Sequence, residues 1–478
     1  MNLSILLIFT VGSITINSIS GLVPKVCVHN VSSTLKTCCP IPDGFHQPCG
    51  GVGRGVCDKV YTHWEPIARV FKNDDRMHWP TRFFKRMCNC EGNFFGIACE
   101  SCWYGWEGRN CDRRVIKIRR NIFSFSELER MRFLRILEIS NKMPSEFLVL
   151  EESSPEHSDP LVNPVFFLAT FQEFIAFIHR YASRSTLFAN KQMCSAFGYL
   201  DYNHNTVSFA TWHRALMLHW ERELAKIAMK EFQWKDFAIP YWDWLDAKKC
   251  EVCNNRYVGA TGKYDYQNQI WLIDEGSQFH NWTEYCSPPM GNSKCVGCHF
   301  RKRFPPLNRR YISTEFPLTE DLLFVLRHSS YSVKDEKMNN MDNCRAFHLA
   351  LEGFCGRNHS ESTSLYMHNK VHNMVEGSMC CASTASNDPL FILHHSSIDR
   401  IIECWFQIYS PKTTQLPNHG VEPGNCRECN VVGHLPPVKH VEMFTKLENL
   451  GVTYDNYKFG KKGFECSKMA NYIRKHKF

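Results

Sequence analysis

The chain has 478 residues, 44% of them hydrophobic, and a formal charge of +8 at pH 7. Its length allows about three domains. The modest charge and the lack of a basic surface interleaved with aromatic residues argue against a nucleic-acid partner. After the N-terminus no segment reaches the ~18 uninterrupted apolar residues of a membrane span, so we expect no transmembrane segment.

The first 21 residues are predicted to be a secretory signal peptide. An apolar run from Leu3 to Val11 is followed by small residues ending at Gly21, although Lys and Arg are lacking before the run. The 24 cysteines fit export, because disulfides persist in the secretory pathway. We therefore expect a secreted protein or one in the lumen of a vesicle.

Residues 22–115 form a cysteine-rich stretch in which disulfides replace a core too small to be stable alone. From Cys88 to Cys111 the alternation of glycines and cysteines resembles an EGF-type module. The ten cysteines of the stretch are Cys27, Cys38, Cys39, Cys49, Cys57, Cys88, Cys90, Cys99, Cys102 and Cys111. Zinc binding is the alternative at the C-x-x-C pairs Cys99/Cys102, Cys250/Cys253, Cys295/Cys298 and Cys426/Cys429.

Three Asn-x-Ser/Thr sequons are candidate glycosylation sites on exposed loops of an exported protein, at Asn30, Asn281 and Asn358. A basic cluster from Arg113 to Arg120 with interleaved apolar residues predicts a linker or an edge strand between the cysteine-rich stretch and the rest.

From about Asn121 the apolar spacing is mainly helical, and the section from Tyr257 to Asp342 is predicted to be long loops. Ser208 is a candidate N-cap, and Asp388 followed by Pro389 predicts another helix start. Four helices are expected to converge as a bundle, from Asn163 to Ala182, Ser208 to Lys230, Ser364 to Glu376 and Asp388 to Tyr409.

Histidines lie on these helices in two groups. His368 and His372 are four residues apart, which places both imidazoles on one helix face where they can bind one metal ion. His394 points about 100° away from the adjacent His395, so we expect it to form a pocket wall. The six predicted ligands are His179, His204 and His213 in the first group and His368, His372 and His395 in the second.

Ligands that are all imidazole favour copper or zinc over magnesium, calcium or manganese. Paired hydrolytic zinc ions usually have carboxylate ligands, whereas three imidazoles at each of two ions suit copper. The donor set therefore predicts two copper ions that react with O₂.

The motifs around these histidines resemble those of the tyrosinases. The first comprises His179, residues 203–204, 210–214 and 239–244, and the second extends from His368 to Asp399. The cysteine-rich stretch also resembles that of animal tyrosinases and tyrosinase-related proteins. The resemblance implies a dicopper catalytic domain over 116–478, preceded by an EGF-like module over 22–115.

The resemblance further implies that Glu352 and Asn369 hold a water that accepts the phenol proton. A helix-surface ion pair is the alternative for Glu352. Phe354 is expected to stack on the substrate ring. Asp399 either orients a ligand or pairs near Arg400, and the sequence does not decide between them.

The loop between His372 and Asn387 departs from vertebrate tyrosinases, which lack its Cys380–Cys381 pair and commonly carry a bulkier residue at Ala382. The family's loop lines the substrate entrance, so Ala382 and His394 are candidate substrate contacts. The preference for phenol or catechol stays open.

The predicted function is a phenol oxidase that hydroxylates tyrosine-like phenols and oxidises catechols with O₂, in the synthesis of melanin-type pigment. One alternative is a zinc-containing isomerase of dopachrome-like substrates. Two features of this chain disfavour that alternative: the isomerase subgroup tends to have Leu at the position of His394, and Asn-Phe at the positions of Asp243 and Trp244. Another is a non-catalytic O₂ carrier or matrix protein. The sequence does not indicate the oligomeric state.

Overall fold

The computed structural model describes residues 21–28, 36–63, 74, 76–81, 83–151, 165–183, 201–285, 305–310, 315–333, 345–356, 366–419 and 423–475. Three features of the sequence lie outside these residues. They are the predicted signal peptide except for Gly21, the sequons at Asn30 and Asn358, and the pair Cys295/Cys298. The sequon residue Asn281 is exposed.

Short strands and disulfides build the N-terminal part. The strands are β1 (Leu22–Pro24), β2 (Thr37–Cys38), β3 (Gly55–Lys59), β4 (Arg86–Cys90), β5 (Phe94–Phe95), β6 (Ser101–Cys102), β7 (Trp106–Glu107) and β8 (Arg113–Arg114). One sheet has the order β2-β4-β3, and β5 with β6 and β7 with β8 form antiparallel pairs. The ten cysteines pair as Cys27–Cys38, Cys39–Cys57, Cys49–Cys88, Cys90–Cys99 and Cys102–Cys111.

These pairings answer the zinc alternative for the described C-x-x-C motifs. Cys99 and Cys102 each bond to another cysteine, while Cys250–Cys253 and Cys426–Cys429 are disulfides in their own right. A thiol in a disulfide does not act as a thiolate ligand. The cysteines of these three motifs are therefore structural.

Three further strands connect distant parts of the chain. They are β9 (Lys117–Arg119), β10 (Pro144–Glu151) and β11 (Val165–Thr170). Strand β10 pairs antiparallel with both β1 and β11. The basic cluster contributes β8 and β9, which agrees with the predicted edge strand.

Helices surround the histidines. In chain order they are α1 (Glu127–Ser140), α2 (Phe171–Ala182), α3 (Phe209–Phe232), α4 (Thr319–Leu326), α5 (Phe347–Glu352), α6 (Met367–Val375), α7 (Leu390–Tyr409), α8 (His440–Met443) and α9 (Cys466–Lys475). Thr170 and Glu173 form a capping box at the start of α2. The Asp388 carboxylate accepts from the Leu390 N–H at 2.8 Å, but α7 starts one residue later than predicted, with Pro389 and not Asp388 at the N-cap position.

The core lies between α2, α3 and α7; α2 and α7 bury nearly all their residues, and α3 buries 15 of its 24. Large aromatic side chains fill it, and Trp212, Trp220, Trp242, Trp244 and Trp405 are at most 1% exposed. Such burial contributes roughly 25 cal/mol per Å² of apolar surface. His179, His213 and His395 therefore lie on helices that are packed into the core.

Two sequence-based predictions of secondary structure were wrong. The segment predicted as one helix from Asn163 to Ala182 contains strand β11 before α2, because this apolar run pairs with β10. The predicted loops between Tyr257 and Asp342 contain the hairpin β12 (Thr261–Asp265) and β13 (Ile270–Ile273), as well as α4. The remaining strands are β14 (Val452–Tyr454), β15 (Lys458–Phe459) and β16 (Phe464–Glu465).

No helix in the described part of the chain combines the length and the apolar character that crossing a bilayer requires.

Candidate metal centre

The structure brings the six predicted ligands together as two clusters. His179, His204 and His213 form one group of potential metal-binding atoms within 4.8 Å of one another. The second group contains His368, His372 and His395, together with His394. In the described residues, these two clusters contain imidazoles alone, and the second includes His394 in addition to the three predicted ligands.

Helices α2 and α3 position the first cluster. His179 lies in the last turn of α2, and His213 lies in the second turn of α3. Their Nε2 atoms are 3.4 Å apart. His204 lies in the loop before α3, and the Asp201 carboxylate accepts its backbone N–H at 2.7 Å.

Helices α6 and α7 position the second cluster. The Nε2 atom of His372 lies 3.0 Å from that of His368 and 3.3 Å from that of His395. The Nε2 atoms of His368 and His395 are 3.2 Å apart. Three nitrogens from two helices thus converge on one point.

The clusters adjoin each other. The His213 ring stacks on the His395 ring with centroids 4.5 Å apart and an interplanar angle of 18°. Phe391, one helical turn before His395, stacks against the His395 ring at 4.0 Å and meets the His179 ring edge-on at 5.1 Å. The sequence analysis missed Phe391, although its i, i+4 spacing to His395 was a signal.

Hydrogen bonds orient the imidazoles so that Nε2 faces inward. The Nδ1–H of His179 donates to the Ala382 carbonyl at 2.7 Å, and that of His372 to the Met379 carbonyl at 2.8 Å. His213 donates in the same way to the Phe209 carbonyl at 2.9 Å. Because a carbonyl only accepts, each ring carries its proton on Nδ1 and has a free Nε2 lone pair for a metal.

Burial keeps these histidines neutral, which is the state that binds a metal. Desolvation lowers the pKa of His179 to about 3 and that of His372 to about 4. It also holds the pKa values of His213, His368 and His395 well below 6.5.

The two residues predicted to hold a water are each attached to one cluster. Both carboxylate oxygens of Glu352 accept from the backbone N–H of Asn205, directly after His204, at 2.7 and 2.9 Å. The amide oxygen of Asn369 accepts from His368 Nδ1 at 2.9 Å. Glu352 is 1% exposed, so it is not part of a surface ion pair.

Gly353 determines how closely these two residues approach. It ends α5 with a φ of 105°, in the left-handed region that glycine adopts without strain. A Cβ atom there would lie 1.9 Å from the Tyr366 carbonyl oxygen and 3.3 Å from the Asn369 Cβ. The chain after Glu352 therefore passes directly beside the start of α6.

The candidate substrate contacts occupy different positions. His394 is fully buried and stacks on the His368 ring at 5.1 Å, so it lies closer to the second cluster than a helix-wheel argument indicates. Ala382 is exposed in the loop after α6, and Phe354 is half-buried directly after α5.

Asp399 pairs with arginines and does not orient a ligand histidine through any described hydrogen bond. Its carboxylate binds Arg119 at 2.8 Å and Arg214 at 2.7 Å, while Arg400 binds Asp243 at 3.4 Å. Arg119 is 280 residues away in sequence, so no local pattern indicated this pair.

Comparisons with known proteins agree with this geometry. The model of the common central domain of tyrosinase matches residues 170–408. Tyrosinase from Gallus gallus is 32% identical over 448 residues, covering 91% of this chain and 82% of the relative. Tyrosinase from Pelophylax lessonae is 31% identical over 452 residues, with 91% and 81% covered. The 5,6-dihydroxyindole-2-carboxylic acid oxidase of Bos taurus is 30% identical over 458 residues, with 90% and 82% covered. The chain therefore belongs to the tyrosinase family of copper-dependent oxidoreductases.

Proposed function

We propose that this protein is a dicopper phenol oxidase that hydroxylates tyrosine-like monophenols at the ortho position and oxidises catechols to quinones with O₂. The observation that carries the proposal is the pair of all-imidazole clusters, joined by the stacked rings of His213 and His395 at 4.5 Å. The natural substrates would be small phenols or catechols.

The donor set fits copper. Six imidazoles supply borderline nitrogen donors without negative charge, and copper lies at the top of the affinity order for such sites. His179, His204 and His213 would hold one ion, and His368, His372 and His395 the other. When bound, two copper ions supply the activation of O₂ that phenol hydroxylation and catechol oxidation need.

The chain's own residues would handle the phenol proton. The Glu352 carboxylate and the Asn369 amide would hold a water between the clusters, and that water would accept the proton as the phenol arrives. Glu352 is buried and attached to the His204 loop, while Asn369 is attached to His368. This arrangement supports a base held at a fixed position.

The substrate would bind against the second cluster. Phe354 would stack on its ring, with His394 as a wall and Ala382 at the entrance. A small residue at Ala382 leaves the entrance wide, because a methyl group is the whole side chain.

We further propose a domain organisation. A signal peptide over 1–21 would precede an EGF-like module over 22–115 and a four-helix-bundle catalytic domain over 116–478. Two observations support the boundary. The ten cysteines from Cys27 to Cys111 pair only with one another, and five of the six ligands lie on α2, α3, α6 and α7. The protein would then be secreted or reside in a melanosome-like vesicle, where it would serve melanin-type pigment synthesis.

Copper content and activity test the proposal together. Purified protein should contain about two copper ions and turn over both a tyrosine-like monophenol and a catechol. His213→Ala and His368→Ala should each remove about one copper ion and abolish oxidase activity, because each leaves one ion with two ligands. His46→Ala, at an exposed histidine far from the clusters in sequence, is the matched control.

Zinc in place of copper, or near-wild-type activity in either ligand variant, would contradict the assignment. Catechol oxidation without monophenol hydroxylation would restrict the function to catechol oxidase.

A further inference from the structure

Two adjacent cysteines lie in the loop after α6. Cys380 and Cys381 are both exposed and unbridged, and their Sγ atoms are 2.8 Å apart. All other cysteines in the described residues are in disulfides. In a chain with so many bridges, this close but unbridged pair is unusual.

The residues flanking this pair contact both metal clusters. The carbonyl before it, at Met379, accepts from His372 of the second cluster at 2.8 Å. The carbonyl after it, at Ala382, accepts from His179 of the first cluster at 2.7 Å. The two backbone carbonyls on either side of the cysteine pair therefore each orient one ligand, one in each cluster.

The loop is held firmly on both sides of the pair. The Met379 N–H donates to the Glu376 carbonyl at 3.2 Å. The Cys381 carbonyl accepts from the N–H groups of Thr384 and Ala385 at 3.0 and 2.8 Å. A change in the Cys380–Cys381 peptide would therefore be transmitted to the two flanking carbonyls.

The chemistry of the pair suits reversible oxidation. The sulfurs need to approach by about 0.8 Å to reach the ~2.05 Å of a disulfide. Adjacent Cα atoms are ~3.8 Å apart, below the usual ~4.4–6.8 Å, so the bridge would be strained and readily reduced. A hydrogen bond from Cys380 lowers the pKa of Cys381 to about 7, which favours a reactive thiolate.

We propose that Cys380 and Cys381 form a reversible vicinal disulfide that changes how tightly both copper ions are held, through the carbonyls of Met379 and Ala382. The oxidant would be a low-molecular-weight disulfide. The Cys381 thiolate attacks it, releasing one thiol, and Cys380 then displaces the second. Two protein thiols lose two electrons, the oxidant gains them and yields two thiols, and one S–S bond replaces another. The link to copper rests on the proposed function.

The first measurement is a thiol titration in glutathione redox buffers. Differential alkylation and mass spectrometry of the peptide containing Cys380 and Cys381 should show both thiols disappear together, with a loss of two hydrogens and no added glutathione. Cys380→Ser and Cys381→Ser should instead end as mixed disulfides or free thiols. A wild-type peptide that keeps two free thiols, or that carries only glutathione, would overturn the proposal.

The second measurement is copper release. Metal-free protein is first oxidised or reduced, freed of glutathione and then loaded with Cu(I) under nitrogen. The oxidised form should lose copper to a Cu(I) chelator several-fold to about tenfold faster, as expected when partners of ligand histidines shift. The double variant Cys380→Ser/Cys381→Ser should release copper at one rate after either treatment, and Ser383→Ala should behave as the wild type.

Equal release rates from the two wild-type forms would overturn the coupling. Wild-type protein that binds no copper in either form would overturn the proposed function and the coupling with it. Failure of the cysteine pair alone would leave copper binding and oxidase activity intact, so the two failures are distinguishable.

Discussion

At the scale of single residues, hydrogen bonds at Nδ1 hold four of the ligand histidines in place. His179, His213 and His372 each donate Nδ1–H to a backbone carbonyl, and His368 donates to Asn369. Such partners fix both the tautomer and the ring orientation before any metal arrives. The side chains of these ligands should therefore lose little conformational entropy when copper binds.

Glu352→Gln should separate the two proposed activities. The glutamine oxygen can still accept from Asn205, but the basic carboxylate is lost, and catechols give up their proton more readily than monophenols. Hydroxylation of a tyrosine-like monophenol should fall by about an order of magnitude or more, while catechol oxidation falls much less. Initial rates on both substrates give the ratio.

Glu376→Gln is the matched control. This carboxylate lies at the C-terminal end of α6, away from Asn369 near its start, and pairs with Arg310 near the surface. Its rate ratio should equal that of the wild type. Equal loss of both activities in Glu352→Gln would show that Glu352 is structural and that the water-holding role is wrong.

At the scale of elements, a buried ionic network joins β9, α3 and α7. Arg119 on β9 binds Glu221 on α3 at 2.9 Å and Asp399 on α7 at 2.8 Å. Arg214 on α3 binds the second oxygen of Asp399 at 2.7 Å. Arg214 directly follows the ligand His213, and Asp399 lies one turn after His395, so the network fixes the register of the helices that carry the stacked ligands.

Asp399→Asn should destabilise the protein by about 3–5 kcal/mol, because two buried guanidinium groups lose their shared carboxylate. Urea unfolding of the metal-free protein measures this. Glu107→Gln breaks the Arg113–Glu107 pair, whose side chains are 69% and 38% exposed, and should cost at most about 1 kcal/mol. Similar costs for the two variants would contradict a structural role for the network.

The sequence predicted the elements that its local patterns specify. Helices α3, α6 and α7 and the i, i+4 histidines followed from apolar spacing and capping residues, and each was found within a few residues of its expected bounds. Strand β11 was missed because the apolar run from Val165 to Ala169 suits a buried helix or a strand equally. Its antiparallel pairing with the preceding strand β10 decides the matter, and the apolar spacing within the run itself does not reveal that pairing.

The same limit applies around the metal centre. His213, His368, His372 and His395 could be predicted because they lie in dense motifs, whereas His179 and His204 do not lie in one and depended on the resemblance to the tyrosinase motifs. The carbonyl partners Met379 and Ala382 could not, because any residue supplies a carbonyl and the loop conformation alone selects which one. The pairing of Arg119 with Asp399 could likewise not be predicted, since the two residues are 280 positions apart in the chain.

At the scale of the whole molecule, the balance of buried titratable groups sets the response to acid. Nine histidines, eight buried and His219 half-buried, have pKa values lowered chiefly by desolvation. The pKa values of His219, His434 and His440 are about 3. Four carboxyl groups, of which Glu403 is buried, have raised pKa values, and that of Glu403 is about 7. They act in the opposite direction but are fewer.

Metal-free protein should therefore lose stability as the pH falls from about 6.5 towards 4. Unfolded histidines take up protons near pH 6.5 while the folded ones stay neutral, so the unfolded state binds more protons in this window. Thermal denaturation followed by circular dichroism at pH 7.5, 6.5, 5.5 and 4.5 should give a falling Tm below 6.5. His46→Gln, at an exposed site, should keep the same slope. A constant Tm would contradict the burial of neutral histidines.

The parallel pairing of β14 with β9 has a consequence for the timing of copper loading. It joins Val452 to Lys117, across most of the chain, and Tyr454 of β14 donates to the Ser396 carbonyl beside the ligand His395. Long-range pairings of this kind form only once both partners have been synthesised. The hydrogen bond beside His395 can thus form only after residue 454 has left the ribosome. A second cluster that needs this support would take up copper only in a nearly complete chain, which would make copper loading a step of maturation and not of early synthesis.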